Sequence, residues 1–179
     1  MMKAIFKGIA AILCLVAVGA CSSISVEDYA DNEPRLVAEE FFNGKLSAYG
    51  IVKDRGGRVI RYFSAKIDAY WVDGVGTLDE QFAFDDGEQQ VRVWKLKPSG
   101  EGEYIATAGD VVGKGLMQVA GNSIFLDYVL RIPYGDGTID LRIDDRMYLV
   151  SERVLLNESI MTKWGFEVGQ VTLVIEKNE

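Results

Sequence analysis

Histidine is absent from the chain. That excludes Ser-His-Asp and Cys-His catalysis, imidazole acid–base chemistry and His-ligated zinc or haem. Cysteine occurs twice and proline three times in 179 residues. Basic residues are in the minority, 19 Lys plus Arg against 27 Asp plus Glu, for a net charge of −8. No clustered basic surface stands out, which argues against a nucleic-acid partner. Long apolar runs are also missing after residue 20. What remains is rich in glycine (19 residues) and in aromatics (11%), with short alternating stretches between turn signals. This composition points to one all-β domain.

The N-terminus reads as an export signal. Lys3 and Lys7 precede the uncharged run Gly8–Ala20, "GIAAILCLVAVGA". Thirteen residues are too few to span a bilayer as a helix, which takes about 20. Small residues, Gly19 and Ala20, then lead into Cys21, and "VGAC" resembles the bacterial lipobox. Ordinary signal peptidase would accept the same bond, so Cys21 decides between the two. Cys14 lies in the segment that would be removed, which leaves Cys21 as the only thiol and rules out an internal disulfide. A thioether carrying acyl chains such as palmitate gives that cysteine a use; each buried CH₂ adds about 0.8 kcal/mol of membrane affinity. The expected division is a lipoprotein signal peptide over 1–20, a polar tether over 21–32 and the folded domain over 33–179. Similarity to lipoproteins implies one thing more. Ser22, rather than Asp, after the cysteine favours the outer membrane, with the domain facing the periplasm.

Pro34 and Gly44 bracket "EPRLVAEEFFNG", where Leu36, Val37, Phe41 and Phe42 form an apolar edge. One short helix is predicted there, packed against an end of the domain. From Leu46 onward the period is two. In "RYFSAKIDAYW", Phe63, Ala65, Ile67, Ala69 and Trp71 share a face; in "TIDLRIDDRMYLV", Ile139, Leu141, Ile143, Met147 and Leu149 do. Turn signals recur about every ten residues, which predicts nine or ten antiparallel strands, most of them joined as hairpins. Closing them into a barrel removes the exposed edges. The glycines of Gly113-Lys114-Gly115 fit a bend better than a phosphate loop. The acidic turns lack calcium-ligand spacing, so no metal or cofactor is assigned.

Charges on the apolar faces are the candidate site. Glu80 stands among Leu78, Phe82 and Phe84; Arg92 shares a face with Trp94 and Leu96. A three-residue loop, Asp85-Asp86-Gly87, sets Glu80 opposite Arg92, whereas a two-residue turn separates them. Asp145 interrupts the series Ile139 to Leu149. Buried carboxylates require hydrogen-bonded partners, a cation or water. Three readings fit these charges: a salt-bridge network closing the barrel, a polar anchor in a ligand cavity, or paired carboxylates for acid–base work. The tryptophans Trp71, Trp94 and Trp164 read first as core; Trp94, beside Arg92, also joins the ligand-facing set.

Several stretches, "GTLDEQFAFDDGE", "RVW", "AGDVVGKG", "AGNSIFLDY", "IDDRMYLV" and "LLNESIMTKWGFEVGQVTLVIEK", together resemble the uncharacterised proteobacterial lipoproteins called domain of unknown function 3833. Arg146 stands where that pattern has Trp. The resemblance spans about Glu39 to Lys177 and implies a lipocalin-like barrel on a lipid anchor, with a lipid theme but no activity. It also places Glu80, Arg92, Asp145 and Asn157 inside shared motifs. The resulting expectation is an outer-membrane lipoprotein whose barrel binds a fatty acid or lipid, with Arg92 meeting the head group. The alternatives are a filled barrel serving as a structural or interaction lipoprotein, and a lipid-modifying enzyme using Glu80 or Asp145.

Overall fold

The computed structural model describes residues 23–178. Cys21 and the expected export signal lie outside the described residues. Ten strands form an antiparallel meander: β1 (Gly44–Asp54), β2 (Val59–Val72), β3 (Val75–Phe84), β4 (Gln89–Gly100), β5 (Glu103–Thr107), β6 (Gly115–Ala120), β7 (Ser123–Tyr134), β8 (Gly137–Ser151), β9 (Val154–Lys163) and β10 (Phe166–Lys177). Each pairs with the next, and β1 closes on β10 from Leu46↔Lys177 to Asp54↔Gly169. Closure pairs every strand on both sides and leaves no edge to aggregate.

The period-two pattern sets the faces. On β2 the buried residues are Ala65, Ile67 and Ala69, while Tyr62, Lys66, Asp68 and Tyr70 face outward. The β3–β4 hairpin takes the three-residue loop: Glu80 pairs with Arg92, and the Gly87 N–H donates to Phe84 C=O (3.1 Å). Gly87 has φ 87°, a left-handed conformation that glycine adopts without steric cost. Both inward charges therefore sit side by side.

One pole is plugged. Leu36, Phe41 and Phe42 are buried in the same core as Leu46, Ile67, Ala69 and Leu155. The helix is shorter than the sequence predicts, a single turn α1 (Ala38–Phe41), and Pro34 precedes it rather than opening it. Chain path and packing set its length, because β1 already starts at Gly44. Polar contacts fix the plug: the Leu36 N–H donates to Gly121 C=O (2.8 Å), Trp71 Nε1 to Phe42 C=O (2.9 Å) and the Tyr104 hydroxyl to Glu39 (2.6 Å).

The expected tether is not free where it is described. Residues Val26–Tyr29 form a 3₁₀ turn, Val26 is buried, and the Tyr29 ring packs on Phe125 and Tyr148 of the outer wall (5.8 and 5.4 Å between centroids). Two apolar side chains in an otherwise acidic stretch are enough to dock it. Trp164 also departs from the core reading: it is 86% exposed at the β9–β10 turn. Trp94 is core, and Trp71 packs against it.

The opposite pole is open. On β5 and β6, the two shortest strands, the wall is completed by the connection 108–114. That segment pairs irregularly with β7, through the Val112 N–H to Val129 C=O and the Arg131 N–H to Asp110 C=O, both 2.8 Å.

Candidate functional site

The barrel interior holds a cavity of about 930 Å³, within the size range of small-molecule sites. Its floor is Phe42 of the plug, with Leu96, Met117 and Ile175. Aromatic and aliphatic side chains form the walls: Phe63, Phe82, Phe84, Leu130, Ile132 and Leu173. Phe63 meets Phe82 and Phe84 at centroid distances of 5.8 and 5.7 Å. These residues are only partly buried although they point inward, because the space they face is empty of protein.

Midway down lies a polar cluster. Glu80, Arg92, Trp94, Asp145 and Asn157, all proposed from the sequence, line this one cavity. They divide into two groups. In the first, Arg92 Nε donates to Asp110 Oδ2 (2.9 Å) and Nη2 to the same oxygen (2.7 Å). The guanidinium also lies 5.7 Å from the Phe82 ring centre and 5.9 Å from that of Trp94. Burial works against its charge, but the Asp110 bond and the neighbouring acids outweigh it and hold the pKa above its ordinary value. Arg92 therefore serves neither Glu80 nor Asp145 as an ion-pair partner; its fork is taken by Asp110.

In the second group, Asp145 is buried beneath three neutral donors: the Ser159 hydroxyl, Asn157 Nδ2 (3.3 Å) and the Tyr128 hydroxyl. Burial raises its pKa, and those donors hold the rise back. Tyr128 is pushed well above the usual phenol range by burial and then by the Asp145 charge, so it stays a donor. Its ring meets Trp94 edge to face at 5.2 Å. Asp145 and Asn157 are thus committed chiefly to each other and to Ser159 and Tyr128.

Glu80 is the exception. It sits deep in the barrel yet remains accessible, because the surface it shows is cavity surface. No ion pair reaches it among the described residues; the Trp94 indole is its one bonded neighbour. Burial raises its pKa to about 7, with Arg92 opposing and Asp145 and Asp110 adding to the rise.

Asp110, Tyr128 and Ser159 escaped the sequence reading. Ser159 and Tyr128 were within reach of face counting: Leu155, Asn157, Ser159 and Met161 share one face of β9, and Leu126, Tyr128 and Leu130 one face of β7. Asp110 lies in the irregular 108–114 connection, where no periodicity marks direction.

Fold and cavity define the class: a lipocalin-like β-barrel with an open interior. A family profile described as "Protein of unknown function (DUF3833)" matches residues 15–177, and the chain belongs to that family. Among solved structures it is similar to the S-type phycobiliprotein lyase CPES from Guillardia theta. That likeness has a TM-score of 0.60 at 13% identity, covers 81% of this chain and 94% of that one, and bears on the fold alone. No curated protein matches the chain.

Proposed function

We propose that the protein is a lipid-anchored carrier in the periplasm, holding an apolar ligand of lipid type inside its barrel and tethered to the outer membrane through Cys21. The observation that carries this reading is the roughly 930 Å³ hollow, apolar along most of its wall and polar at one level. A filled barrel, the structural alternative, would have no such space. Similarity to a phycobiliprotein lyase barrel is in keeping with a small-molecule interior. The anchor is supported by the "VGAC" sequence, and the family match begins early enough to take in Cys21. A tether keeps the domain at a lipid surface and raises its effective concentration there.

The anchor geometry follows from the plug. Residues 23–29 run beside the closed pole, where Tyr29 touches the β6–β7 turn at Gly121. An anchor at Cys21 would hold the closed pole to the bilayer and turn the mouth toward the aqueous space. Native mass spectrometry of gently extracted protein tests the carrier reading, together with thermal shifts against fatty acids and phospholipids. Co-purified lipid, or a rise in melting temperature, is expected; neither appearing would sink it. Intact mass of Cys21→Ser against wild type tests the anchor.

One observation favours a second reading. Glu80, with a pKa of about 7 beside an open cavity, suits a general acid or base acting on the bound molecule. Turnover of a bound lipid that is lost in Glu80→Gln with folding intact would establish it.

A further inference from the structure

The charges around the cavity form a pattern that selects among ligands. Three cations line it, and each is already paired. Arg61 at the mouth bonds Asp86 (2.7 Å) and Glu88 (2.5 Å), Arg92 bonds Asp110, and Arg131 bonds Asp140 (2.7 Å). Of the lining acids, Glu88 and Asp110 are matched by these cations, but Glu80 and Asp145 are not. Glu80 has no cationic partner, and Asp145 has only neutral donors. An anionic head group entering this space would meet occupied guanidiniums and two carboxyl groups to which no cation is bonded. Like charges set side by side inside the barrel repel more strongly than in bulk water, because they are screened less there.

We propose that the cavity accepts an amphiphile with a protonated amine head group, which docks against Glu80 while its apolar chain fills the aromatic wall above. This rests on the carrier reading and replaces the expected fatty-acid carboxylate on Arg92. Glu80 supplies two acceptor oxygens that the protein leaves largely unused. The groups facing it are Arg92 from β4, Tyr128 from β7, Asp145 from β8 and Asp110 from the 108–114 connection. Among these, Arg92 is the strongest charge acting on Glu80, Asp145 and Asp110 act against it, and Tyr128 is neutral. The Arg92 fork is held by Asp110, so the Glu80 oxygens are left free to accept from an ammonium. Docking requires ionised Glu80, so binding takes up the ammonium and releases the carboxyl proton to water. Affinity therefore rises with pH through the Glu80 titration.

Isothermal titration of the purified protein with decylamine and decanoate, each below its micelle concentration, decides the matter. The chains are of equal length, so only the head group differs. At pH 8 decylamine is expected to bind about tenfold tighter or more than decanoate. The preference should shrink at pH 6, where alkylamines remain protonated but Glu80 does not stay ionised. In Glu80→Gln it should fall to within about threefold. Decanoate binding as tightly as decylamine would overturn the proposal and leave the carrier reading standing. An amine preference unchanged in Glu80→Gln would overturn it too, because the amine would then sit on surface acids. Failure of both probes to bind at either pH would count against the carrier reading and remove this inference with it.

Discussion

The two poles of the barrel share ten strands and one alternating pattern, but differ in what their inward residues meet. At the closed pole Leu46, Ile124 and Leu155 are fully buried, and Leu36, Phe41 and Phe42 from the N-terminal segment pack with them in one core. Toward the mouth the inward residues of the same strands, Phe63, Phe82, Leu130, Met161 and Leu173, are only partly covered. Alternation decides which way a side chain points; a partner in the middle decides whether it is packed. One pole is therefore built for stability and the other for occupancy, with the polar cluster at the boundary.

The largest expected effect tests that division directly. Leu155→Ala removes a residue with no exposed surface and should cost about 3–4 kcal/mol, the transfer loss plus a cavity. Phe82→Ala removes a larger side chain whose ring faces space that is already empty, and should cost only about 1–2 kcal/mol. Denaturant unfolding of both variants measures the difference. Equal losses would mean that the upper half is packed as tightly as the lower, and the comparison would fail.

A second effect, smaller and conditional on pH, lies at the boundary. Glu80 has an ordinary pKa of 4.5 that rises to about 7 in the folded protein. The folded state thus holds the proton more tightly than the unfolded chain. The stability linked to this group is full below about pH 4.5 and is lost as pH rises through 7. Glu80→Gln is neutral throughout and escapes the loss. The variant should match wild type near pH 4.5 and exceed it by roughly 2–3 kcal/mol at pH 8. Melting curves across that range check the sign. A variant less stable than wild type at pH 8 would show that the carboxylate is held by something the cavity geometry does not display. Asp145 offers the contrast within the same cluster. Three donors already converge on it, so Asp145→Asn sets an amide N–H₂ against them and should be destabilising at neutral pH.

The strand count and the Glu80–Arg92 register were legible because they depend on local rules. Gly87 sets the loop length, the loop sets the register, and the period-two pattern sets the faces. Partner choice was not legible. Face counting offers Arg92 two acids, Glu80 and Asp145, and the one it takes, Asp110, arrives on an irregular connection that bridges two short strands. The cavity was equally hidden. Phe63, Phe82 and Phe84 alternate as core residues do, and nothing in their spacing tells that the centre between them is open. The docked Val26–Tyr29 turn was masked by acidic neighbours that contribute nothing to its packing.

The smallest effects compare the hairpin tips at the two poles, which use the same backbone conformation for opposite ends. Gly121, in the β6–β7 turn, has φ 52°, and Trp164, in the β9–β10 turn, has φ 50°. At Gly121 a Cβ would lie 1.8 Å from the Tyr29 carbonyl oxygen, so the N-terminal segment can lie against that tip only because no side chain is there. Gly121→Ala should cost about 1–2 kcal/mol and quicken proteolysis within residues 25–40, leaving decylamine affinity within about twofold. Trp164 carries a bulky ring in a region of backbone space that such residues rarely occupy, and the ring is exposed. Trp164→Asn suits that conformation better and should raise stability by about 0.5–1 kcal/mol without touching the cavity. If Trp164→Asn instead lowers affinity for an apolar ligand, the exposed ring takes part in entry at the mouth, and the open pole extends beyond the cavity to its rim.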